Sequence, residues 1–348
     1  MFMETISQKG GGVTLTTISD IARLAGLSVS TVSRVINKSP HVSDKKRKAV
    51  ESAMNELGYV PLPAARQLRG SRTNTMAVTI PRIVNPFFSY LVGAIEQELD
   101  EAGYSTLIVQ TFGRAEEELT ALNLLKNQQV DGVILCSLEN DWFVINSYCK
   151  YGKIVLVNEY LKDVDVPIIR GDQYDGFYTA TNFLFDSGYK KIAYATGRKT
   201  ITIMKKESNF DADRFAGFQS SLSDHNLGFN YDWLFTNAHT AEDGKEIFKK
   251  IMTLKNKPDV VIAGSDEVAM GISQEAEKQG IKVPEQLGVL GVDDQPASAN
   301  LRIPLTTIKQ PVDEMGRKAA KAMLGLVNGE EVSKMQICKL KVIKRASA

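Results

Sequence analysis

Residues 16–37 carry the feature that most constrains the fold: two short amphipathic segments separated by a glycine. In the first segment, apolar residues recur at the i, i+3, i+4 and i+7 spacing of a helix: Ile18, Ile21, Ala22 and Ala25. Gly26 predicts the end of that helix, because glycine adopts the left-handed backbone conformation that a tight turn needs. Ser28 is a suitable N-cap for a second helix, in which Val32, Val35 and Ile36 face inward. The pattern predicts a helix-turn-helix.

The second segment presents an outward face of short or hydrogen-bonding side chains: Val29, Ser30, Thr31, Ser33, Arg34 and Asn37. A third helix is predicted over residues 44–57, with Val50, Ala53, Met54 and Leu57 as its buried side. Three small helices with such an outward face suit insertion into the major groove of DNA. An ordinary helical hairpin within a larger core is the alternative.

The charge distribution favours the DNA interpretation. Residues 16–73 hold ten Lys and Arg against four Asp and Glu, a net charge of +6. Because residues 1–15 are neutral and the whole chain carries +1, residues 74–348 carry −5. A basic head on an acidic body is the pattern expected when phosphate contacts are confined to one module.

Length and composition limit the remaining classes. A chain of 348 residues, 43% of them hydrophobic, predicts two or three domains. It has no run of roughly 18 apolar residues that would span a membrane, and residues 1–12 lack the apolar core of a signal peptide. The three cysteines show no metal-ligand spacing and suit a reducing compartment. We therefore expect a cytoplasmic protein without a cofactor or metal site, and residues 1–15 as a flexible tail.

Two other functional classes are disfavoured by the sequence. An enzyme is unexpected because His41, His225 and His239 fall in the head or in loops, and no catalytic triad or metal motif is present. A secreted solute-binding protein is unexpected because a DNA-binding head precedes the body.

From residue 76 onward, strand-like and helix-like segments alternate. Strands are predicted over 76–80, 105–109, 132–135, 153–157, 191–195, 260–263, 288–292 and 306–308, and helical segments over 87–102, 116–127, 141–151, 214–224 and 268–279. Such alternation indicates an α/β fold, with parallel sheets covered by helices. Residues 74–348 are long enough for two such lobes, with a ligand cleft at the carboxyl ends of their strands.

A short linker joins head and body. Pro61 and Pro63 disfavour helix immediately before them, and Gly70 ends any helix that follows. A helix this short is marginal in water, so we expect it to form only when DNA supports it. The predicted domains are a tail (1–15), a helix-turn-helix domain (16–61), a hinge helix (62–73) and a two-lobed effector-binding and dimerisation core (74–348).

Ordered motifs along the chain resemble those of the lactose-repressor/galactose-repressor family of bacterial transcription regulators. The head motifs are Ile18-Ser-Asp-Ile-Ala22, Ala25-Gly-Leu-Ser28, Thr31-Val-Ser-Arg-Val-Ile-Asn37 and His41-Val-Ser43. The body motifs are Asn85-Pro-Phe-Phe88, Val130-Asp-Gly-Val-Ile134, Asp213-Arg-Phe-Ala-Gly-Phe218, Gly264-Ser-Asp-Glu-Val-Ala-Met-Gly271, Gly291-Val-Asp-Asp294 and Pro304-Leu-Thr-Thr-Ile-Lys-Gln310.

The resemblance implies a repressor of carbohydrate-metabolism genes that binds a pseudo-palindromic operator as a homodimer. Its core would resemble periplasmic sugar-binding proteins, and a sugar or sugar phosphate between the lobes would switch it. The alternative within the family is a catabolite regulator whose corepressor is a phosphorylated carrier protein. A leucine-heptad tail is not seen, which favours a dimer over a tetramer.

By resemblance, the DNA-contacting residues are Thr17, Ser28, Val29, Ser30, Thr31, Ser33, Arg34, Asn37, His41, Ala65 and Leu68. Val29 and Ser30 begin the recognition helix and would select operator bases. Leu68 matches a leucine that wedges into the minor groove and kinks the duplex. Relatives usually place Asn after the linker proline, whereas this chain has Leu62 and Pro63, so the hinge-helix cap differs.

Polar and aromatic residues at predicted strand ends form the candidate effector site: Asn85, Phe87, Phe88, Ser137, Asn158, Arg214, Ser265, Asp266, Asp293 and Gln310. The resemblance makes Arg214, Ser265, Asp266 and Asp293 effector contacts, and a helix cap is the alternative role for Asp266. Many sugar-binding relatives have Asp where this chain has Asn158, which suits a less hydroxyl-rich or a phosphorylated ligand. Residues 201–211 are predicted to be a solvated loop rather than a flap.

Overall fold

The computed structural model describes residues 16–36, 39–59, 72–197 and 209–348. The chain divides into two compact units, Met1–Arg72 and Thr73–Ala348. The predicted tail, most of the predicted hinge helix and residues 201–208 of the predicted loop lie outside the described residues, as do Asn37, Ala65 and Leu68.

Three helices form the head: α1 (Ile18–Ala25), α2 (Val29–Ile36) and α3 (Asp44–Glu56). Thr17 caps α1 in a reciprocal capping box with Asp20, and Gly26 ends it with a φ of 65°. The predicted apolar faces meet in one small core, in which Ile21, Val32 and Val50 are fully buried. The prediction of a helix-turn-helix is confirmed.

Ser33 is an exception to the predicted outward face of α2. Its residue is only 7% exposed, whereas Val29 is 43% exposed and Arg34 is exposed. Ser33 directly follows Val32 and lies three positions before Ile36, so it falls within the wide apolar stripe of a core-facing helix. The prediction that placed Ser33 on the outward face was wrong because it assumed a narrower apolar stripe on this helix.

The first lobe of the core contains a six-stranded parallel sheet in the order β11-β5-β4-β3-β1-β2. Its strands are β1 (Thr75–Ile80), β2 (Ser105–Gln110), β3 (Gly132–Leu135), β4 (Lys153–Val157), β5 (Ile168–Gly171) and β11 (Met335–Cys338). Its helices are α4 (Pro86–Glu101), α5 (Ala115–Lys126), α6 (Trp142–Asn146) and α11 (Val312–Asn328). The central strands are buried on both faces, as in sheets covered by helices.

The second lobe contains a six-stranded sheet in the order β12-β10-β9-β8-β6-β7, in which only the β10–β12 pairing is antiparallel. Its strands are β6 (Ile192–Ala195), β7 (Leu234–Phe235), β8 (Val260–Ile262), β9 (Gly288–Asp293), β10 (Thr306–Lys309) and β12 (Lys341–Ile343). Its helices are α7 (Gln173–Asp186), α8 (Phe210–Asp224), α9 (Ala241–Thr253) and α10 (Asp266–Lys278). The predicted α/β class with two lobes is confirmed.

The chain crosses between the lobes three times, and these crossovers lie together. The first follows Gly171, the second joins β10 to α11, and the third joins β11 to β12. The backbone N–H of Asp172 donates to the carbonyl of Cys338 at 2.8 Å, which ties the first crossover to the third. The lobes are therefore connected by a hinge made of three neighbouring chain segments.

Several element predictions were wrong or incomplete. The helical segment predicted over 141–151 shortens to Trp142–Asn146, and α8 begins at Phe210, four residues before the prediction. The sequence interpretation missed β5, β7, β11, β12, α7, α9 and α11. Within the ranges described, we find no helix with the length and apolar character needed to cross a bilayer.

Candidate functional site

Arg214 on α8 is a buried cation whose guanidinium lies between two aromatic rings. It is 7% exposed, and its guanidinium carbon lies 3.9 Å from the centre of the Phe210 ring and 5.0 Å from that of Phe177. Its Nε donates to Oε1 of Gln173 at 2.8 Å. Within the described part of the chain, this is the only hydrogen bond of its side chain. Its two terminal amino groups can therefore donate to hydroxyl, carboxylate or phosphate oxygens of a ligand.

Asp293 ends β9 and presents a carboxylate to the same region. Its Oδ1 accepts from Nε2 of Gln310 at 2.9 Å, and its Oδ2 accepts from Nε2 of Gln295 at 3.4 Å. Burial raises the pKa of Asp293 to about 6, while hydrogen bonding from Gln310 and the charge of Arg214 act in the opposite direction. The backbone holds this side chain at a φ of 116°, an uncommon value for a residue other than glycine.

Two glutamines connect these charged groups across the hinge. Gln173 begins α7, immediately after the first crossover, and Gln310 lies in the second. Nε2 of Gln173 donates to Oε1 of Gln310 at 3.0 Å. Arg214, Gln173, Gln310 and Asp293 thus form one continuous hydrogen-bonded chain, which we call the hinge chain.

Asp266 is the first residue of α10 and contacts two neighbouring segments of the second lobe. The residue is fully buried, its Oδ1 accepts from the Thr307 hydroxyl at 2.6 Å, and its Oδ2 accepts from the Gln295 backbone N–H at 2.7 Å. Burial, followed by the nearby Asp293 carboxylate, raises the pKa of Asp266 to about 7. These contacts give Asp266 a role in shaping the loop that carries Gln295.

Ser265, not Asp266, is the N-cap of α10. Its hydroxyl accepts from the backbone N–H of Val268 at 3.3 Å. The alternative role of Asp266 as the helix cap was therefore wrong: the cap is the preceding residue, Ser265. Ser265 remains half-buried at the edge of the lobe.

The first-lobe candidates combine structural roles with positions near the cleft. Asn85 caps α4 by accepting from the Phe87 backbone N–H at 3.0 Å, and the rings of Phe87 and Phe88 pack edge to face at 5.0 Å. Ser137 is buried and donates to Oε1 of Glu139 at 3.1 Å. Phe87 is buried in the first-lobe core, and Phe88 is partly buried and packs against the same core.

Asn158 directly follows β4, has a φ of 74° and is only 3% exposed. Its Nδ2 makes a 3.4 Å contact with the carbonyl of Cys136, and its Oδ1 has no hydrogen-bond partner among the described residues. A buried acceptor without a partner is energetically costly. The Oδ1 atom of Asn158 is therefore suited to accept a hydrogen bond from a donor group on a ligand.

A cavity of about 390 Å³ opens between α4 and the second crossover. It brings together three predicted residues, Phe87, Asp293 and Gln310. The other lining residues are Tyr90, Asp294, Gln295, Pro296, Lys309, Pro311, Val312, Asp313 and Glu314. The cavity therefore brings together only three of the ten predicted effector residues; those that do not line it are Asn85, Phe88, Ser137, Asn158, Arg214, Ser265 and Asp266.

A second interlobe contact was missed by the sequence interpretation. Tyr160, in the first lobe, donates from its hydroxyl to Oδ2 of Asp213 on α8 at 2.6 Å. Arg170 stacks on the Tyr160 ring at 4.4 Å and lies 3.8 Å from the same carboxylate oxygen. Burial and this hydrogen bond raise the pKa of Tyr160 above its usual range, so the phenol stays a donor. Asp213 appeared in a quoted motif, but its partner came from 53 residues earlier.

The described candidates for DNA contact lie between Thr17 and His41, in the helix-turn-helix and the turn that follows it. Ser28, Val29, Ser30, Arg34 and His41 are exposed, and Thr31 is half-buried. The Ser28 hydroxyl accepts from the Thr31 backbone N–H at 3.3 Å, which is the geometry of the predicted N-cap. Thr17 is exposed but engaged in its capping box, and Ser33 is buried. An exposed Arg34 beside small side chains allows close approach to a groove.

Two family models match the two units of the chain. Residues 17–61 match bacterial regulatory proteins of the lacI family, and residues 73–346 match the periplasmic binding proteins and sugar-binding domain of the LacI family. The NTD biosynthesis operon regulator of Bacillus subtilis (strain 168) is 38% identical, with 95% of this chain and 99% of the relative covered.

Solved structures show the same architecture. A LacI-family transcriptional regulator from Lactobacillus casei with bound glucose is 33% identical, with a TM-score of 0.69 over 79% of this chain and 99% of that one. The lac repressor dimer bound to operator and the anti-inducer ONPF is 26% identical, with a TM-score of 0.81 over 95% of this chain and 98% of that one.

Proposed function

Because the chain belongs to the LacI family of bacterial regulatory proteins, we propose that it represses carbohydrate-metabolism genes and releases or binds its operator in response to a sugar or sugar phosphate. Its family comprises DNA-binding transcriptional regulators rather than enzymes. Since such a regulator acts on bacterial chromosomal DNA, we place it in the cytoplasm. We assign residues 16–61 to the DNA-binding head, 62–73 to the hinge helix and 74–348 to the effector-binding core.

One observation carries the effector proposal: a buried arginine and a partly buried aspartate are held at the interlobe hinge by a chain of carboxamides. Arg214 offers donors, and Asp293 offers acceptor oxygens to hydroxyl groups. The orphaned Oδ1 of Asn158 supplies another acceptor from the first lobe. A polyhydroxylated ligand presents both donors and acceptors, which matches this set.

Sugar-bound relatives support a small molecule over a protein signal. The Lactobacillus casei regulator holds glucose, and another structure of that protein holds sucrose. Phosphate on the ligand would pair with the terminal amino groups of Arg214. The phosphorylated carrier protein is the alternative outcome of the test below.

We propose a homodimer on a pseudo-palindromic operator. The related lac repressor binds its operator as a dimer. In this chain, β2 is an edge strand of the first sheet, and its Leu107 and Ile108 side chains are exposed. Exposed apolar residues on an edge strand are a surface that a second copy would cover.

On the DNA, we propose that Val29 and Ser30 meet base edges while Arg34 contacts a base or phosphate. Val29 would pack on a thymine methyl, and Ser30 would form an adaptable hydrogen bond. Asn37, Ala65 and Leu68 keep their predicted contacts by resemblance alone, with Leu68 entering the minor groove.

The test uses the purified full-length chain and genomic DNA fragments. Selection of bound fragments should yield one palindromic sequence, and its affinity should fall steeply with salt. A panel of sugars and sugar phosphates is then screened by thermal shift, and phosphorylated carrier protein is tested separately. Absence of any sequence preference would refute the regulatory function, whereas a response to the carrier protein alone would replace the sugar proposal.

A further inference from the structure

We infer that Gln173 is a positioning residue of the ligand site: it orients Arg214 directly and Asp293 through Gln310. This inference rests on the proposed function, since it concerns how that ligand site is held. Gln173 was absent from the residues singled out in the sequence, and it touches neither the 390 Å³ cavity nor the exposed surface.

The contacts of Gln173 use both ends of its amide. The side chain is completely buried at the first turn of α7. Its Oε1 accepts from Nε of Arg214 at 2.8 Å, and its Nε2 donates to Oε1 of Gln310 at 3.0 Å. Gln310, which is 2% exposed, then donates from Nε2 to Asp293 at 2.9 Å.

The chemistry of the two end groups determines how both amides are oriented. A guanidinium has only donors, so the atom of Gln173 that faces Arg214 must be the carbonyl oxygen. Its amino group then faces Gln310, which must accept with its own oxygen. The amino group of Gln310 is left to face Asp293, whose ionised carboxylate only accepts. Every link of the hinge chain is therefore satisfied in one orientation, and reversing either amide breaks two links.

Packing at the crossovers keeps Gln173 in place. A Cβ at Gly171 would lie 2.7 Å from Nε2 of Gln173 and 2.7 Å from a methyl carbon of Leu340 in the third crossover. Glycine at this position therefore makes room for both the Gln173 amide and the Leu340 side chain. Gln173 sits where the first and third crossovers meet, and its bond to Gln310 reaches the second.

This placement links ligand contacts to the hinge. Gln173 and Gln310 belong to different crossovers, so rotation of the lobes changes the separation of their side chains. Arg214 and Asp293 are the groups that the ligand would contact. A ligand that fixes these two side chains favours one spacing of the crossovers, and one lobe angle follows from it.

The test follows the Asp293 carboxyl by carbon-13 NMR in the full-length chain labelled at aspartate, with the signal identified by its loss in Asp293→Asn. Arg214 and Asp266 act electrostatically on this carboxyl, and Asp294, Lys309, Asp313 and Glu314 line the same cavity; all six stay unchanged in the variants. In Gln173→Met, which keeps the volume but removes both hydrogen bonds, Gln310 is free to turn away from Asp293. We expect the pKa of Asp293 to rise by about half a unit or more, because an ionised carboxylate loses an oriented donor.

Two further variants make the result decisive. Gln173→Asn keeps the amide but is too short to reach Arg214 and Gln310 together, so it should shift the titration in the same direction even if the Met variant does not fold. Thr181→Val removes a buried hydroxyl that bonds within α7, away from the hinge chain, and should leave the titration unchanged. An unchanged Asp293 titration in the Met and Asn variants would overturn the inference and leave Gln173 as a space-filling residue.

The measurement needs neither operator nor ligand. Failure of operator or sugar binding would therefore overturn the proposed function without altering this result. A negative titration result would leave operator binding intact and overturn only the role of Gln173.

Discussion

The hydroxyl of Tyr160 donates a 2.6 Å hydrogen bond to the carboxylate of Asp213, joining the first lobe to the helix that carries Arg214. Phe210, one turn earlier on the same helix, packs against the apolar core of the first lobe. Helix α8 is thus anchored to the first lobe by a hydrogen bond and by apolar packing. Loss of this anchor should therefore affect both stability and lobe closure.

Tyr160→Phe should lower the free energy of unfolding by about 1–2 kcal/mol, because a buried charge-assisted hydrogen bond is lost. Urea unfolding followed by fluorescence measures the change. Tyr148→Phe is the matched control, since the Tyr148 hydroxyl bonds to Asn123 at 3.2 Å within the first lobe and near solvent. Equal losses in the two variants would mean that the interlobe bond has no special contribution.

Gly271→Ala should destabilise the second lobe by roughly 2 kcal/mol or more, because an added Cβ would clash with the backbone carbonyl of Ala241. Helices α9 and α10 would have to separate. Gly93→Ala, in α4, has open space around the added Cβ and should be neutral or stabilising by about 0.5–1 kcal/mol. Thermal unfolding of both variants provides the comparison, and similar melting temperatures would contradict the close helix packing.

Stability should depend on pH through the raised pKa values of Asp266 and Asp293, about 7 and about 6. Both values exceed 3.8, the ordinary value for aspartate, so the folded chain binds protons more tightly than the unfolded chain. Their contribution to stability is complete below about pH 4 and is lost as pH rises towards 7.

Asp266→Asn should reduce the loss of stability that occurs as pH rises, because the amide cannot ionise. We expect the difference in unfolding free energy between variant and wild type to shift in favour of the variant by about 1 kcal/mol or more between pH 4 and 7. Urea unfolding at intervals of pH measures this difference. Asp165→Asn, at an exposed carboxyl, changes the charge equally and should show a flat difference; the same slope in both variants would argue against the buried pair.

Arg34→Ala should lower the preference for operator over scrambled DNA by about tenfold or more and leave residues 74–348 folded. The exposed Arg34 side chain lies on α2, and loss of one base-reading contact costs about 1–3 kcal/mol of specific binding. Gel shifts at several salt concentrations, with operator and scrambled duplexes, measure the ratio. As a control, Arg302→Ala removes an exposed cation from the second unit of the chain and should leave the ratio of operator to scrambled binding unchanged. An unchanged ratio in Arg34→Ala would refute the assignment of Arg34 as an operator contact.

Long, regular apolar patterns made much of the fold predictable. The strands Gly132–Leu135 and Lys153–Val157 match their predicted residues because each contains a continuous buried apolar run, which in the second begins after the exposed Lys153. Strand β5 was missed because it has four residues and includes Arg170. Helix α11 was missed although it covers the first sheet, because its buried face relies on small residues such as Gly316 and Ala319.

Candidate site residues were predictable where they lie at the carboxyl ends of adjacent strands. Asp293 and Gln310 lie together as expected for adjacent parallel strands. Gln173 and Tyr160 were not predictable in this way, because their partners lie 137 and 53 residues away in sequence. Ser33 and Asp266 were predicted to contact DNA and effector, but both are buried. A polar residue within a motif can therefore be part of the packed interior rather than exposed for binding.

Operator affinity measured with and without the sugar that stabilises the protein most in the thermal-shift screen tests the central claim most directly. Fluorescence anisotropy of a labelled operator duplex should show wild-type affinity changing about tenfold or more, within the usual 1–3 kcal/mol of allosteric coupling. Arg214→Ala and Asp293→Ala should bind the operator like wild type and show no change with sugar. A normal response of either variant at wild-type sugar concentrations would contradict the account.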